Sequence, residues 1–523
     1  MTLSLDPVAT TDELRQLTDD DFVERYACDR FTAAVLASRF RYVIDNMCSQ
    51  LITQAFSPIL RDYTDMTAAL SGPPEIGWPM ASVAQTLPLF FGSLPEAVRH
   101  AMEEYGLERL VTGDVIILND PYRAGTHIMD VCFIRPAIVD GELIGAVTIR
   151  AHMLDWGGKT IGGFALDKTS IYEDGLVLAP ELLYHAGKPV EPMFKIIRDN
   201  TRFAPMVIPD LQTINGCLAA AEAQLVETYR RYGRDAYLGA MRYSCDASAE
   251  SMRHAIEELP DGIYDGAGGL DSDGIGGSDT ACFVHVRVTK RGANIEFDFG
   301  GTSAANKSSM NCMWHEAKTG VAIALKWLID PHTPYTSASM RNVDIVLPPD
   351  TFINPSPPLC STLYHIAMHA LMTAVMNALN PVLGENAVGL DSGDNLFHVA
   401  YGTTSPWFSY PGSVLPTLPW GATRHGDGDS GNLNPYINLT WSGDEVLETG
   451  LPCIVLGRDY VSDTGGVGEH RGGASSAQDT MWVEPANHRA TIFMSKRLDG
   501  GVYGGGPGSP AAGWLFSPEA VRD

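Results

Sequence analysis

The chain has 523 residues, 45% of them hydrophobic and 19% charged, which is ordinary for a folded protein and excludes disorder as the default state. Its 36 basic residues stand against 63 acidic ones, a net charge of −27, so no nucleic-acid partner is expected without a local basic patch, and no long Lys/Arg run supplies one. The acidic, polar N-terminus (MTLSLDPVATTDELRQLTDDD) lacks a signal-peptide pattern, and no uninterrupted apolar stretch reaches membrane-spanning length; the nearest, Gly320 to Ile329, is broken by Lys326. The nine cysteines are scattered without a CxxC, as expected of reduced, buried thiols in a cytoplasmic protein that does not enter a membrane.

In chain order, residues 12–24 form a polar lead-in or a short helix. Phe31 to Ala55 carries apolar residues at helical spacing with no Pro or Gly, and predicts a long helix ending before Pro58. Met66 to Leu70 is a short strand, Pro95 to Tyr105 a helix, and Asp114 to Leu118 a buried strand. Val131 to Val139 and Leu143 to Arg150 read as a hairpin joined by Asp140-Gly141. Leu211 to Tyr232 and Ala236 to Leu259 are long helices. Gly and Asp enrichment over 264–280 then marks a boundary between two lobes, 1–262 and 263–523. Beyond it come a hairpin around Arg291-Gly292, helices over Glu316 to Leu328 and Thr362 to Leu379, and a strand-like tail with glycine clusters. The expected class is α+β, multi-lobed, with mixed helices and largely antiparallel sheets.

The densest polar cluster is NDPYRAGTHIMD (Asn119 to Asp130), followed by RAHMLDWGG (Arg150 to Gly158). The hairpin brings the turn carrying His127 and Asp130 beside the strand end carrying His152. Two imidazoles and a carboxylate converging there suit zinc, manganese or iron. The plainer alternative is three separately hydrogen-bonded polar residues beside a tight turn. Asp65 is either a fourth ligand, a general base or a solvated turn residue. Asp120 and Asp155 are similar candidates, and Asp120 before Pro121 also reads as a turn former.

Three weaker patterns stand apart. His365 and His369 lie i, i+4 on an apolar helix, where buried histidines are the better reading and H-E-x-x-H is absent. The stretch VSDTGGVGEHRGG (Val461 to Gly473) fits neither a P-loop nor GxGxxG, though Asp463, His470 and Arg471 can line a site. No G-x-S-x-G supports a serine hydrolase.

Several ordered motifs resemble the hydantoinase B/oxoprolinase family, which includes N-methylhydantoinase B subunits, 5-oxoprolinases, caprolactamase and the metal subunits of acetone and acetophenone carboxylases. The matching blocks are AFSP (55–58) before Asp65, FGSLPEAV (91–98), GDVIILNDPYRAGTH, RAHMLDWGG, GIYDGAGGLDSDG, DFGGTSAANKSSMN, DTGGVGEHRGG and YGGGPGSP. The resemblance implies that His127, Asp130 and His152 are metal ligands and Asp65 a fourth, with zinc or manganese as the metal. Catalytic work would fall to Asp65, Asp120 and His152. It further implies a partner, a hydantoinase A/oxoprolinase-like ATPase subunit that uses ATP to phosphorylate a small-molecule substrate, and in carboxylases a small third subunit. The implied activity is hydrolysis of a cyclic amide, with an ATP-dependent ketone carboxylase as the alternative. One departure bears on that choice: the histidine usual before L-G-S is replaced by Leu89-Phe90-Phe91, and the two Phe side chains can either line an apolar pocket or pack in the core.

Overall fold

The computed structural model describes residues 13–517, apart from residues 277, 391–396, 406, 410–418, 431–435, 438–442 and 495–499. The first twelve residues of the polar N-terminus lie outside the described residues. Its remainder includes the Asp19–Tyr26 helix, closed at its start by a reciprocal cap between Thr18 and Asp21.

The class is α+β. A seven-stranded, wholly antiparallel sheet is formed by β1 (Met66–Ser71), β2 (Met80–Val83), β3 (Val115–Leu118), β4 (Asp130–Val139), β5 (Glu142–His152), β6 (Glu181–His185) and β7 (Lys188–Pro189), in the order β2-β1-β5-β4-β3-β6-β7. The β4–β5 hairpin turns on Asp140 and Gly141 at φ of 52° and 84°, the positive pair that a tight two-residue hairpin requires. β3 and β4 are buried on nearly every residue because helices cover both faces of the sheet. On one face lie the Arg30–Gln54 and Ala204–Tyr232 helices, tied to β4 by an ion pair between Arg135 and Glu222 at 2.5 Å. The Ala204–Tyr232 helix begins earlier than its apolar periodicity suggests. Pro205 suits its first turn, and in its second turn the Asp210 carboxylate accepts the Phe56 amide at 2.7 Å, tying it to the chain just past the neighbouring helix.

A second sheet is built from β8 (Gly262–Leu270), β9 (Cys282–Arg291), β10 (Asn294–Asp298) and β11 (Val343–Val346), ordered β11-β10-β9-β8, with only the β10–β11 pair parallel. β9 alternates buried and accessible residues along its length, as expected when one face meets the core and the other meets water. The Gly- and Asp-rich stretch expected to mark a boundary therefore begins as a strand. Its glycines have a packing cause: a Cβ on Gly266 would lie 2.1 Å from the Ala374 carbonyl oxygen, and one on Gly268 2.0 Å from that of Ala370. Only glycine lets β8 lie this close to the Tyr364–Leu379 helix.

That helix is buried all round apart from Asn377. It packs on β8 and β9 and against the Trp314–Leu328 helix, which in turn packs on the Pro88–Phe90 turn between β2 and β3. The two sheets fall on either side of residue 262, and one continuous apolar core, from Leu36 to Met494, joins them. The substitution Gly268→Val is expected to lower stability by about 1–3 kcal/mol through forced overpacking, read as an earlier denaturant midpoint; an unchanged midpoint would contradict the close-approach account.

Candidate metal centre

The antiparallel register places three carboxylate and imidazole side chains in one row. Asp130 opens β4 and pairs directly with His152, which closes β5. Asp65 immediately precedes β1, and its carbonyl accepts the His152 amide at 3.0 Å. Three adjacent strand ends thus present Asp65, His152 and Asp130 side by side.

His127 arrives from the turn before β4. That turn is fixed by Asn119, whose side chain donates to Ile128 O at 2.7 Å and Leu176 O at 2.9 Å and accepts from the Leu178 amide at 2.6 Å. Gly125 and Thr126 both take positive φ, 78° and 65°, and Ser361 donates to the Thr126 carbonyl at 2.8 Å. At φ 78° and ψ −177° Gly125 takes a conformation that L side chains rarely adopt, and a Cβ there would also fall 2.8 Å from the His315 Cβ, so the turn favours glycine.

The result is tight. Asp130 Oδ1 lies 3.1 Å from His127 Nε2 and 2.8 Å from His152 Nδ1, and one ligand atom from each residue falls within 4.8 Å of the others. Asp65 Oδ2 is 3.9 Å from His152 Nδ1. All four residues are buried. The Tyr364 hydroxyl donates to Asp130 Oδ2 at 3.2 Å, and Phe164 stacks on His152 with 7° between ring planes. His127 Nδ1 has no hydrogen-bond partner among the described residues. Two imidazole nitrogens, a carboxylate oxygen and a second carboxylate nearby fit a divalent cation of the zinc or manganese type.

Burial, only partly offset by Asp130, holds the His127 imidazole below its ordinary range and therefore neutral, the form that binds metal. Burial opposes the Asp130 anion, yet the two imidazoles outweigh it and keep the carboxylate ionised. Burial would also lower His152, but its hydrogen bond to Asp130 and the charges of Asp65 and Asp130 raise it overall.

The other candidates are placed elsewhere or differently. The Asp120 carboxylate caps the short Pro121–Ala124 turn, accepting the Tyr122 amide at 2.9 Å and pairing with Arg123, so it is not drawn into the ligand group. Asp155 is held by Arg202, with Nη2 at 2.6 Å from Oδ1. His365 and His369 are both buried; His365 is pushed down to about 3 by burial and by the neighbouring His127. Phe90 and Phe91 are buried in the core, where Phe91 packs on Tyr335 at 4.2 Å between ring centres. The glycine loops enclose a separate cavity of about 320 Å³ lined by Gly465, Gly466, His470 and Gly505. Of the three polar candidates in that stretch, His470 lines the cavity, whereas Arg471 and Asp463, which pair at 3.4 Å, are not among its lining residues. Tyr364, Phe164 and Glu316 were not singled out from sequence. Each reaches the site through tertiary packing, and no spacing rule connects them to residue 130.

With the geometry in place, comparison with known proteins is informative. The family profile described as hydantoinase B/oxoprolinase matches residues 29–522. The chain is 27% identical over 420 residues to caprolactamase subunit beta of Pseudomonas jessenii, covering 78% of this chain and 70% of that one. The crystal structure of ATP-dependent caprolactamase from Pseudomonas jessenii superposes with a TM-score of 0.79 at 22% identity, covering 93% of this chain and 91% of that one. The nucleotide-free structure of acetone carboxylase gives 0.80 at 18% identity, covering 90% of this chain and 64% of that one. At these identities the two structures show the shared fold alone.

The ligand group makes a direct prediction. After dialysis against a weak chelator, His127→Ala should retain no stoichiometric divalent metal, while Tyr364→Phe, which removes only the support of Asp130, should bind it roughly 10–100-fold more weakly. Elemental analysis and chelator competition measure both; wild-type affinity in His127→Ala would remove the site.

Proposed function

Because the chain belongs to the hydantoinase B/oxoprolinase family, we propose that it is the metal-bearing subunit of an ATP-dependent enzyme that hydrolyses a cyclic amide. The observation that carries this reading is the buried row of Asp65, His152 and Asp130, completed by His127 and supported by Tyr364. His127, Asp130 and His152 would hold zinc or manganese, with Asp65 as the fourth ligand. A divalent cation in such a site supplies Lewis acidity and brings water to deprotonation near neutral pH.

The residues then divide the work. Asp130 orients both imidazoles through one oxygen and receives Tyr364 on the other. Asp65, beside His152, offers the carboxylate that takes up the proton of the attacking water. Asp120 acts through the turn it caps, five residues before Gly125 and ahead of His127. Phe164 and Tyr364 cover the imidazoles and keep bulk water out.

The proposed partner is an actin-like ATPase subunit that phosphorylates the substrate. The matched caprolactamase chain is itself named a subunit beta. A cytoplasmic location agrees with nine buried cysteines, all of them free thiols. Among the described residues, no helix is long and apolar enough to cross a membrane.

A ketone carboxylase, with a small third subunit, is the second reading. Its support is the Leu89-Phe90-Phe91 sequence in place of the usual histidine. The deciding assay combines this chain with its ATPase partner, ATP, a panel of lactams and hydantoins, a panel of ketones and labelled bicarbonate. Ring opening that requires ATP and both subunits is expected; label entering a ketone product without lactam turnover would replace hydrolysis by carboxylation.

A further inference from the structure

The cavity among the glycine loops has no part in the metal centre. At about 320 Å³ it is at the small end of ligand pockets. Six consecutive residues, Gly465 to His470, line it. They belong to loops packed backbone on backbone. A Cβ on Gly465 would lie 2.0 Å from the Gly472 carbonyl oxygen, one on Gly466 2.4 Å from that of Gly506, and one on Gly473 2.3 Å from that of Asp429. The glycines thus have a packing cause, and its consequence is a wall of bare backbone.

The hydrogen bonds of that wall are one-sided. The carbonyls of Thr464, Gly466, Val467 and Arg471 accept the amides of Ser509, Gly472, Gly506 and Gly428 at 2.8, 2.9, 2.7 and 2.7 Å. The amides of residues 465–470 donate to nothing among the described residues. These bonds fix the loops in place, occupy their acceptors and leave a surplus of donors, the backbone arrangement that attracts anions. The ionisable side chains on the wall are Arg424, His470 and Glu469. Arg424 meets Glu385 at 3.4 Å, but both side chains are more than half exposed, so the pair is weak and yields readily to a ligand. Asp427 faces His470 at 3.6 Å.

We propose that this cavity is an oxyanion site of the phosphate class, held by the amides of residues 465–470 and by Arg424. A phosphoryl group brings three strong acceptor oxygens to a run of donors, where a carboxylate brings two. A guanidinium adds a planar pair of donors suited to the same group. The absence of a Cβ at Gly465, Gly466 and Gly468 lets an anion approach the backbone closely. The site is distant from the metal. Trp420 on its wall packs on Trp327 at 5.6 Å between ring centres, and Trp327 lies roughly 20 Å of helix away from the turn that meets Gly125. The cavity therefore holds a phosphoryl group away from the reaction, not during it. The donors alone carry the assignment. The phosphorylating partner of the reading above supplies two sources for the ligand, released phosphate and phosphorylated substrate.

Calorimetry on the metal-loaded full chain tests this without turnover, with inorganic phosphate, phenyl phosphate and acetate as probes. Phosphate should saturate one site, and Arg424→Ala should weaken it on the order of tenfold. Glu469→Gln, which removes the carboxylate from the wall, should tighten it about threefold, whereas Arg471→Met, from the same stretch but outside the cavity, should change it by less than about twofold. A folding defect does not tighten a site, so the Glu469 variant keeps the test decisive. Phosphate bound to the metal is told apart by its loss on chelation and its indifference to Arg424→Ala. Phenyl phosphate binding tighter than phosphate, with the gain lost in Trp420→Ala, assigns the site to phosphorylated substrate; equal or weaker binding assigns it to released phosphate. No saturation by about 10 mM phosphate, acetate bound as tightly as phosphate, or an affinity that neither Arg424→Ala nor Glu469→Gln moves would each overturn the proposal. Phosphate binding here with no ATP-dependent turnover would count against the enzymatic reading and leave the site standing.

Discussion

The structure depends on keeping two carboxylates and two imidazoles together out of water. An isolated buried carboxylate is prohibitively unfavourable, so Asp65 and Asp130 can lie this deep only with compensating partners. His127 and His152 both face Asp130 Oδ1, and Tyr364 satisfies the other oxygen. Most surrounding features hold that group in register. The hairpin pairs Asp130 with His152, the end of β1 adds Asp65, and Asn119 fastens the loop that brings His127.

The second sheet serves the site at a distance. Glycines in β8 admit the backbone of the Tyr364–Leu379 helix, and the first residue of that helix supports Asp130. The same helix packs against the Trp314–Leu328 helix, whose first turn carries Glu316 to the Gly125 turn. Glycines at 266 and 268 share one cause, a contact with helix backbone in which a Cβ has no room, while Gly125 is required chiefly by its positive φ. Composition read the stretch that holds the first two as a lobe boundary; glycine enrichment looks alike in a loop and in a closely packed strand, and here it includes β8.

Much of the architecture was legible locally. The Arg30–Gln54 helix, the β4–β5 hairpin with its Asp140-Gly141 turn and the β9–β10 hairpin follow from apolar period and turn chemistry, both of which act over a few residues. Within the site, His127, Asp130 and His152 were accessible because one hairpin brings them together. Asp65 stood open between ligand, base and turn residue until the family motifs favoured the ligand, since nothing in its own neighbourhood says that β1 pairs with β5. Asp120 shows the converse: its position before Pro121 fits either a turn former or a catalytic carboxylate, and its hydrogen bond to Tyr122 N places it in the cap.

The sequence by itself determined the α+β class, the hairpin that pairs Asp130 with His152, and, through ordered motifs, the family. These are short-range properties, set by side-chain period, by backbone preference at a turn and by the spacing of polar residues. Only the tertiary structure decided that Tyr364 donates to Asp130, that Phe164 stacks on His152, that Phe90 and Phe91 fill the core, and that Glu316 lies buried behind Gly125. Each of these depends on how helices far away in the chain dock on a sheet. That docking is settled by shape and burial over the whole core, and no local pattern encodes it.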